Sequence, residues 1–168
     1  MRTLILSLFL AIPAAADTTS VVTQHIRPGF AAFAAQAKAL AEVENCDPAQ
    51  LRPAFHATYD AWLAVAHMPL GPAEDEGRSL AILFWPDPKA LGQKAQRTLL
   101  TGDPEALTPD NMAQQSVAAR GLAGLERLLY PVEALPADPC PLIHATADDL
   151  ARMAADLTRN GGLSVTFS

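Results

Sequence analysis

Past residue 16 the chain has no apolar run of the length a bilayer-crossing helix requires, so it offers no candidate membrane span. Strand-like alternation of apolar and polar residues is missing as well, which sets sheet-based folds aside. Positive charge is scarce. The 12 Lys and Arg stand against 18 Asp and Glu, giving a net charge of −6 with no basic patch, which excludes nucleic acid as a partner class. There is no C-x-x-C-H, which removes covalently attached c-type haem. There is also no G-x-S-x-G, no P-loop and no H-E-x-x-H. Histidine is limited to His25, His56, His67 and His144, so chemistry that needs an imidazole must draw on these four.

What the first sixteen residues do hold reads as a secretory leader. Arg2 gives a short basic start, Leu4 to Ile12 an apolar run too short to anchor, and Ala14-x-Ala16 a small-residue cleavage site before Asp17. The cleavage region carries no cysteine, which argues against a lipid anchor. The expected product is exported, to a bacterial periplasm, with residues 17–160 forming one domain and 161–168 a polar tail. Cys46 and Cys140 both sit in short proline-containing linkers, and in an oxidising compartment they are expected to pair. Closing so long a loop contributes on the order of 4–5 kcal/mol in chain-entropy terms.

Helical punctuation recurs along the domain. Asp47-Pro48, Asp87-Pro88, Thr108-Pro109 and Asp138-Pro139 each set a capping side chain before a proline suited to a first helical turn, and Gly102 and Gly161 stand at helix ends. Apolar residues between these marks follow the helical period. Val22, Ile26, Phe30, Phe33, Ala37 and Leu40 make one stripe, which Pro28 is expected to kink or restart. Phe55, Tyr59, Trp62 and Ala66 make a second, Val117 to Leu129 a third, and Leu142 to Leu157 a fourth. The expected fold is all-α, an up-and-down bundle of four to six helices.

Two places carry candidate chemistry. On a continuous helix His56, Asp60 and His67 would fall within about 40° of one another, where imidazole and carboxylate can share a transition metal. The other is "RGLAGLERLLYP", residues 120–131, where two glycines and an acid interrupt a leucine-rich helix. Glycine inside a helix costs about 1 kcal/mol relative to alanine. Glu126 lies about 40° beyond the buried Leu122/Leu125/Leu129 face and has no cation at i±4, so it needs a cross-helix arginine such as Arg78, a hydrogen bond or a metal. The Gly/Pro-rich connection at residues 67–79, with its three acids, and "FWPDP" after it are the irregular segments nearest in sequence to such a site.

Together "FHATYDAWLAVAHMPLGPAEDEGR", "LAILFWPDP" and "SVAARGLAGLERLLYP" resemble the imelysin-like family of exported bacterial proteins, from about Thr23 to Leu157. The resemblance implies a helical-bundle fold, often two bundles in tandem, and a metal-associated Gly-x-His-x-x-Glu motif on a bundle helix. Here the motif falls on Gly121, Ala123 and Glu126, with alanine at the histidine position. A hydrolytic centre needs about three protein ligands and an open position, so the implied role is a non-catalytic binding component in handling iron or another divalent metal. Glu126 is its expected centre, with His67 or His56 as further metal ligands, Asp75 and Arg78 around it, and Trp62 and Trp85 as walls. Gly124 is expected to be a close-packing point between helices. The alternatives are a metal-dependent peptidase and an interaction module that meets a partner protein or its own copy.

Overall fold

The structure, a computed structural model, describes residues 18–68 and 71–159. The leader, its cleavage site, Gly161 and the 161–168 tail lie outside the described residues. Helix α1 begins as Thr18–Val21, passes through a π-helical turn at Val22–Ile26 and continues as Arg27–Ala41. It is followed by α2 (Pro48–Leu63), α3 (Arg78–Ile82), α4 (Leu91–Thr101), α5 (Pro109–Ala113), α6 (Gly121–Leu129) and α7 (Cys140–Arg159). No strand occurs among the described residues, and no helix among them is long and apolar enough to cross a membrane.

The first stripe packs as expected: Ile26, Phe30, Phe33, Ala37 and Leu40 are buried. Pro28 marks the restart of the regular helix, standing in its first turn after the π-helical segment. Arg27 N–H donates to Val22 O, five residues back, and the wider π-turn sets the proline at the opening of the regular helix, where its missing donor is not needed. α1 packs against α2 and α7, and α6 against α7 and α2. The Phe33 and Trp62 rings meet at 5.1 Å in the middle of this core, with Leu51, Leu122, Leu125, Leu142 and Leu150 fully buried around them. Cys46, between α1 and α2, and Cys140, opening α7, form the expected disulfide with their Cα atoms 5.6 Å apart.

Three expected helix signals resolve differently. The Val117–Leu129 stripe is broken: Val117–Ala119 is a 3₁₀ turn, Arg120 is extended, and α6 begins at Gly121 with φ +62°. The helix after Asp87-Pro88 starts only at Leu91, although the Asp87 carboxylate still caps it by accepting from Leu91 N at 2.9 Å and Gly92 N at 2.8 Å. Finally, α2 stops at Leu63, so His67 sits in a turn and does not continue the His56/Asp60 face.

Candidate functional site

The start of α6 is held from below by a buried ion pair. Arg120 donates to both oxygens of Asp149, Nε–Oδ2 at 2.7 Å and Nη2–Oδ1 at 3.1 Å, and a third N–H reaches Ala113 O at 2.7 Å. Arg152 adds a bond to Asp149 Oδ1 at 2.6 Å. Asp149 is fully buried, and removing one partner of such a pair costs about 3–5 kcal/mol through the charge left behind. Gly121 follows Arg120 in the left-handed region, where a Cβ would collide with the carbonyl oxygens of Ala81 and Ile82. Glycine is needed there for both its dihedral and its close approach to α3.

A second brace ties α6 to α4. Gln96 Nε2 donates to Ala119 O at 3.0 Å and Gly124 O at 2.8 Å, while its Oε1 accepts from Arg127 Nε at 3.2 Å. Arg127 also donates to Ala118 O. Burial pushes the Arg127 guanidinium below its usual pKa, and the Asp87 and Glu126 carboxylates oppose that shift. Gly124 packs against Ala119 O and the Gln96 side chain, where a Cβ would collide with Ala119 O.

Between α4, α6 and the segment after α6 opens a cavity of about 470 Å³. Ala123, Glu126, Arg127, Tyr130, Gln96 and Trp85 are among its walls. At its rim Arg97 pairs with Glu133 at 2.8 Å. Glu126 is exposed, and its carboxylate makes no hydrogen bond or ion pair among the described residues. Burial raises the Tyr59 phenol above its ordinary pKa of 10.0, and the Glu126 carboxylate adds to the rise. Tyr130 OH is 2.8 Å from His56 Nε2, and the Arg52 guanidinium lies 4.5 Å over the Tyr130 ring.

The site therefore keeps Glu126, Ala123 and Trp85 from the sequence-based expectation and changes its other members. Trp62 is a core residue, buried against Phe33 with its indole N–H unpaired, and does not line this cavity. Arg78 turns back on its own connection, donating to Pro72 O, and Asp75 is exposed in the Asp75–Gly77 turn. Neither lines the cavity, because residues 71–79 fold on themselves through two 3₁₀ turns and the Ser79 Oγ–Ala73 O bond of 2.7 Å. His67 faces His25, ring centroids 6.2 Å apart, because α2 has ended before it. His56 is committed to Tyr130. Among the described residues no group of three His, Cys, Asp or Glu donors forms around Glu126, so a three-ligand metal centre does not fit this cavity.

Sequence reasoning missed Asp149, Gln96, Tyr59 and Asp87 as the groups that shape the site. For Asp149 a signal was present. It falls seven residues after Leu142 and four before Met153, both buried, so an acid stood on the buried face of the fourth stripe. For Gln96 there was none, since its two acceptors become neighbours only when α4 and α6 meet.

The family model described as Imelysin matches residues 24–161 of the chain. Among solved structures, the chain is similar to an imelysin-like protein from Psychrobacter arcticum 273-4, with a TM-score of 0.76 at 26% identity. The match covers 85% of this chain and 48% of that one, so the chain spans about half the length of that relative. No curated protein matches.

Proposed function

From the premise that the chain belongs to the imelysin family, we propose that it is an exported, non-catalytic binding protein in the handling of iron or another divalent metal. The metal ion is its cargo and Glu126 its contact. One observation carries this reading: the two motif positions that reach the cavity, Ala123 and Glu126, share a wall, and the Glu126 carboxylate there makes no hydrogen bond or ion pair among the described residues. Asp87 is engaged by α4 and Glu133 by Arg97, which leaves Glu126 to attract a cation. With Ala123 in place of an imidazole, the wall offers one strong ligand, which favours reversible holding of an ion over activation of a water for hydrolysis. The Cys46–Cys140 disulfide supports an extracytoplasmic location.

Metal analysis of protein recovered from the exported fraction tests the proposal. Wild type should carry iron or another divalent ion, Glu126→Ala should carry none above a buffer control, and Glu126→Gln should be strongly depleted. Equal metal in all three, or chelator-sensitive cleavage of a protein substrate by wild type, overturns it. A second reading, an interaction module, has one observation in its favour: Trp85 and Val132 at the same cavity are 76% and 102% exposed. Concentration-dependent self-association abolished by Trp85→Ala would bring that reading forward.

A further inference from the structure

Away from the cavity, the turn between α1 and α2 meets the first turn of α7. Cys140 and His144 stand four residues apart on α7, one helical turn, so their side chains share a face. Cys46 is brought onto that face, with its Sγ 3.4 Å from His144 Nε2. The two sulfurs and an imidazole nitrogen all lie within 4.8 Å of one another, and all three residues are half-buried. None of them lines the cavity beside Glu126. His144 is not needed to close a disulfide, yet it completes a set of soft and borderline donors that zinc-class ions select.

We propose that Cys46, Cys140 and His144 form a redox-gated metal site, which takes a zinc-class divalent cation once a thiol or phosphine reductant has opened the disulfide. With two reductant thiols, the protein disulfide gains two electrons and two protons, and the reductant leaves as its own disulfide. Two protein thiols result. The ion then displaces one proton from each thiol and accepts the lone pair of neutral His144, so two protons are released per ion bound. Zn–S bonds of about 2.3 Å at tetrahedral angles set the sulfurs roughly 3.8 Å apart. That spacing lies inside the existing spread of donor atoms, and Cα atoms 5.6 Å apart allow it by side-chain rotation. Three protein ligands at a half-buried position leave the fourth to water, so the ion is exchangeable. Exchange with a small-molecule disulfide, which accepts the two electrons and two solvent protons to become two thiols, rejoins the sulfurs and expels the ion.

The test is a titration of the exported protein with Co²⁺ as the probe, in three forms: oxidised wild type, wild type reduced with a phosphine that is then removed, and reduced His144→Ala. Reduced wild type should show thiolate-to-cobalt charge-transfer absorption saturating near one ion per chain, and oxidised wild type none. His144→Ala should weaken binding roughly tenfold or more. Zn²⁺ should displace the cobalt and slow alkylation of both cysteines. Absence of the charge-transfer band in reduced protein overturns the proposal. So does His144→Ala binding as tightly as wild type, which would leave a bare dithiol. Circular dichroism runs alongside: if reduction lowers helicity, Co²⁺ or Zn²⁺ should restore it, and failure to do so overturns the proposal as well. Since Glu126 takes no part, Glu126→Ala should bind Co²⁺ here as wild type does, which separates this outcome from that of the cavity.

Discussion

Glu126 is exposed and its carboxylate is hydrogen-bonded to nothing among the described residues, which reverses an expectation drawn from its sequence position. Read as a carboxylate at a core boundary, its removal should strand a buried donor and cost about 1–3 kcal/mol. Read as the open wall of a cavity, Glu126→Ala and Glu126→Gln should both leave stability within about 0.5 kcal/mol of wild type while removing the cation contact. Denaturant melts decide between the two. The carboxylate should also be visible through Tyr59, whose folded-state pKa is raised first by burial and then by Glu126. A raised phenol contributes stability that is full below pH 10.0 and is lost as pH climbs through its folded value. Glu126→Gln should therefore move the Tyr59 ultraviolet titration to lower pH without bringing it to the ordinary value, since burial remains. Tyr130→Phe as background leaves one tyrosine to follow.

At the scale of elements, α6 is positioned by its first residue and α4 by the acid ahead of it. Gly121 and Gly77 share a left-handed φ, +62° and +68°, but only Gly121 faces backbone, while nothing lies within 4 Å of a Cβ at Gly77. Gly77→Ala should therefore cost only the conformational penalty, about 1–2 kcal/mol. Gly121→Ala should cost that plus the collision with Ala81 and Ile82, together about 3 kcal/mol or more. Thermal melts that place the two variants level would show that α3 yields to α6. For α4, the N–H of Gly92 foremost, then that of Leu91 and the charge of Arg127, hold the Asp87 carboxyl below its usual pKa of 3.8. A depressed carboxylate contributes stability that is full above the unfolded value and disappears as pH falls through the folded one. The stability gap between wild type and Asp87→Ala should accordingly be constant above pH 4 and close in more acidic solution. A gap unchanged down to pH 2 would mean that the ionised form plays no part in the cap.

Across the whole molecule, the disulfide links the α1–α2 turn to the start of α7 over a sequence separation of 94 residues. Loop-closure reasoning gives about 4–5 kcal/mol for such a link. A Cys46→Ser, Cys140→Ser double variant should lose stability of that order in urea melts while keeping a helical circular dichroism spectrum, because the Phe33–Trp62 core does not depend on the sulfurs. Loss of less than about 1 kcal/mol would mean that the unfolded chain already holds these turns together. The same link brings His144 beside Cys46, so the cross-connection and the metal-donor cluster are one arrangement of the bundle.

Composition and local spacing by themselves determined the fold class, the buried stripes of α1 and α7, the capped start at Asp47 and the pairing of the cysteines. Each depends on residues within a turn or two of one another, or, for the disulfide, on there being two cysteines and an oxidising destination. The motif Gly121-x-Ala123-x-x-Glu126 was legible too, as a pattern. Which groups would surround it was not. His67 missed the site because α2 ends four residues too soon, Arg78 because its connection closes on Pro72, and Trp62 because the core claimed it. In their place came Gln96, Tyr59 and Asp87, from elements far away in sequence. Only tertiary packing decides such neighbours, because the bonds that hold them run between backbones and side chains that meet when α4 and α6 close on each other.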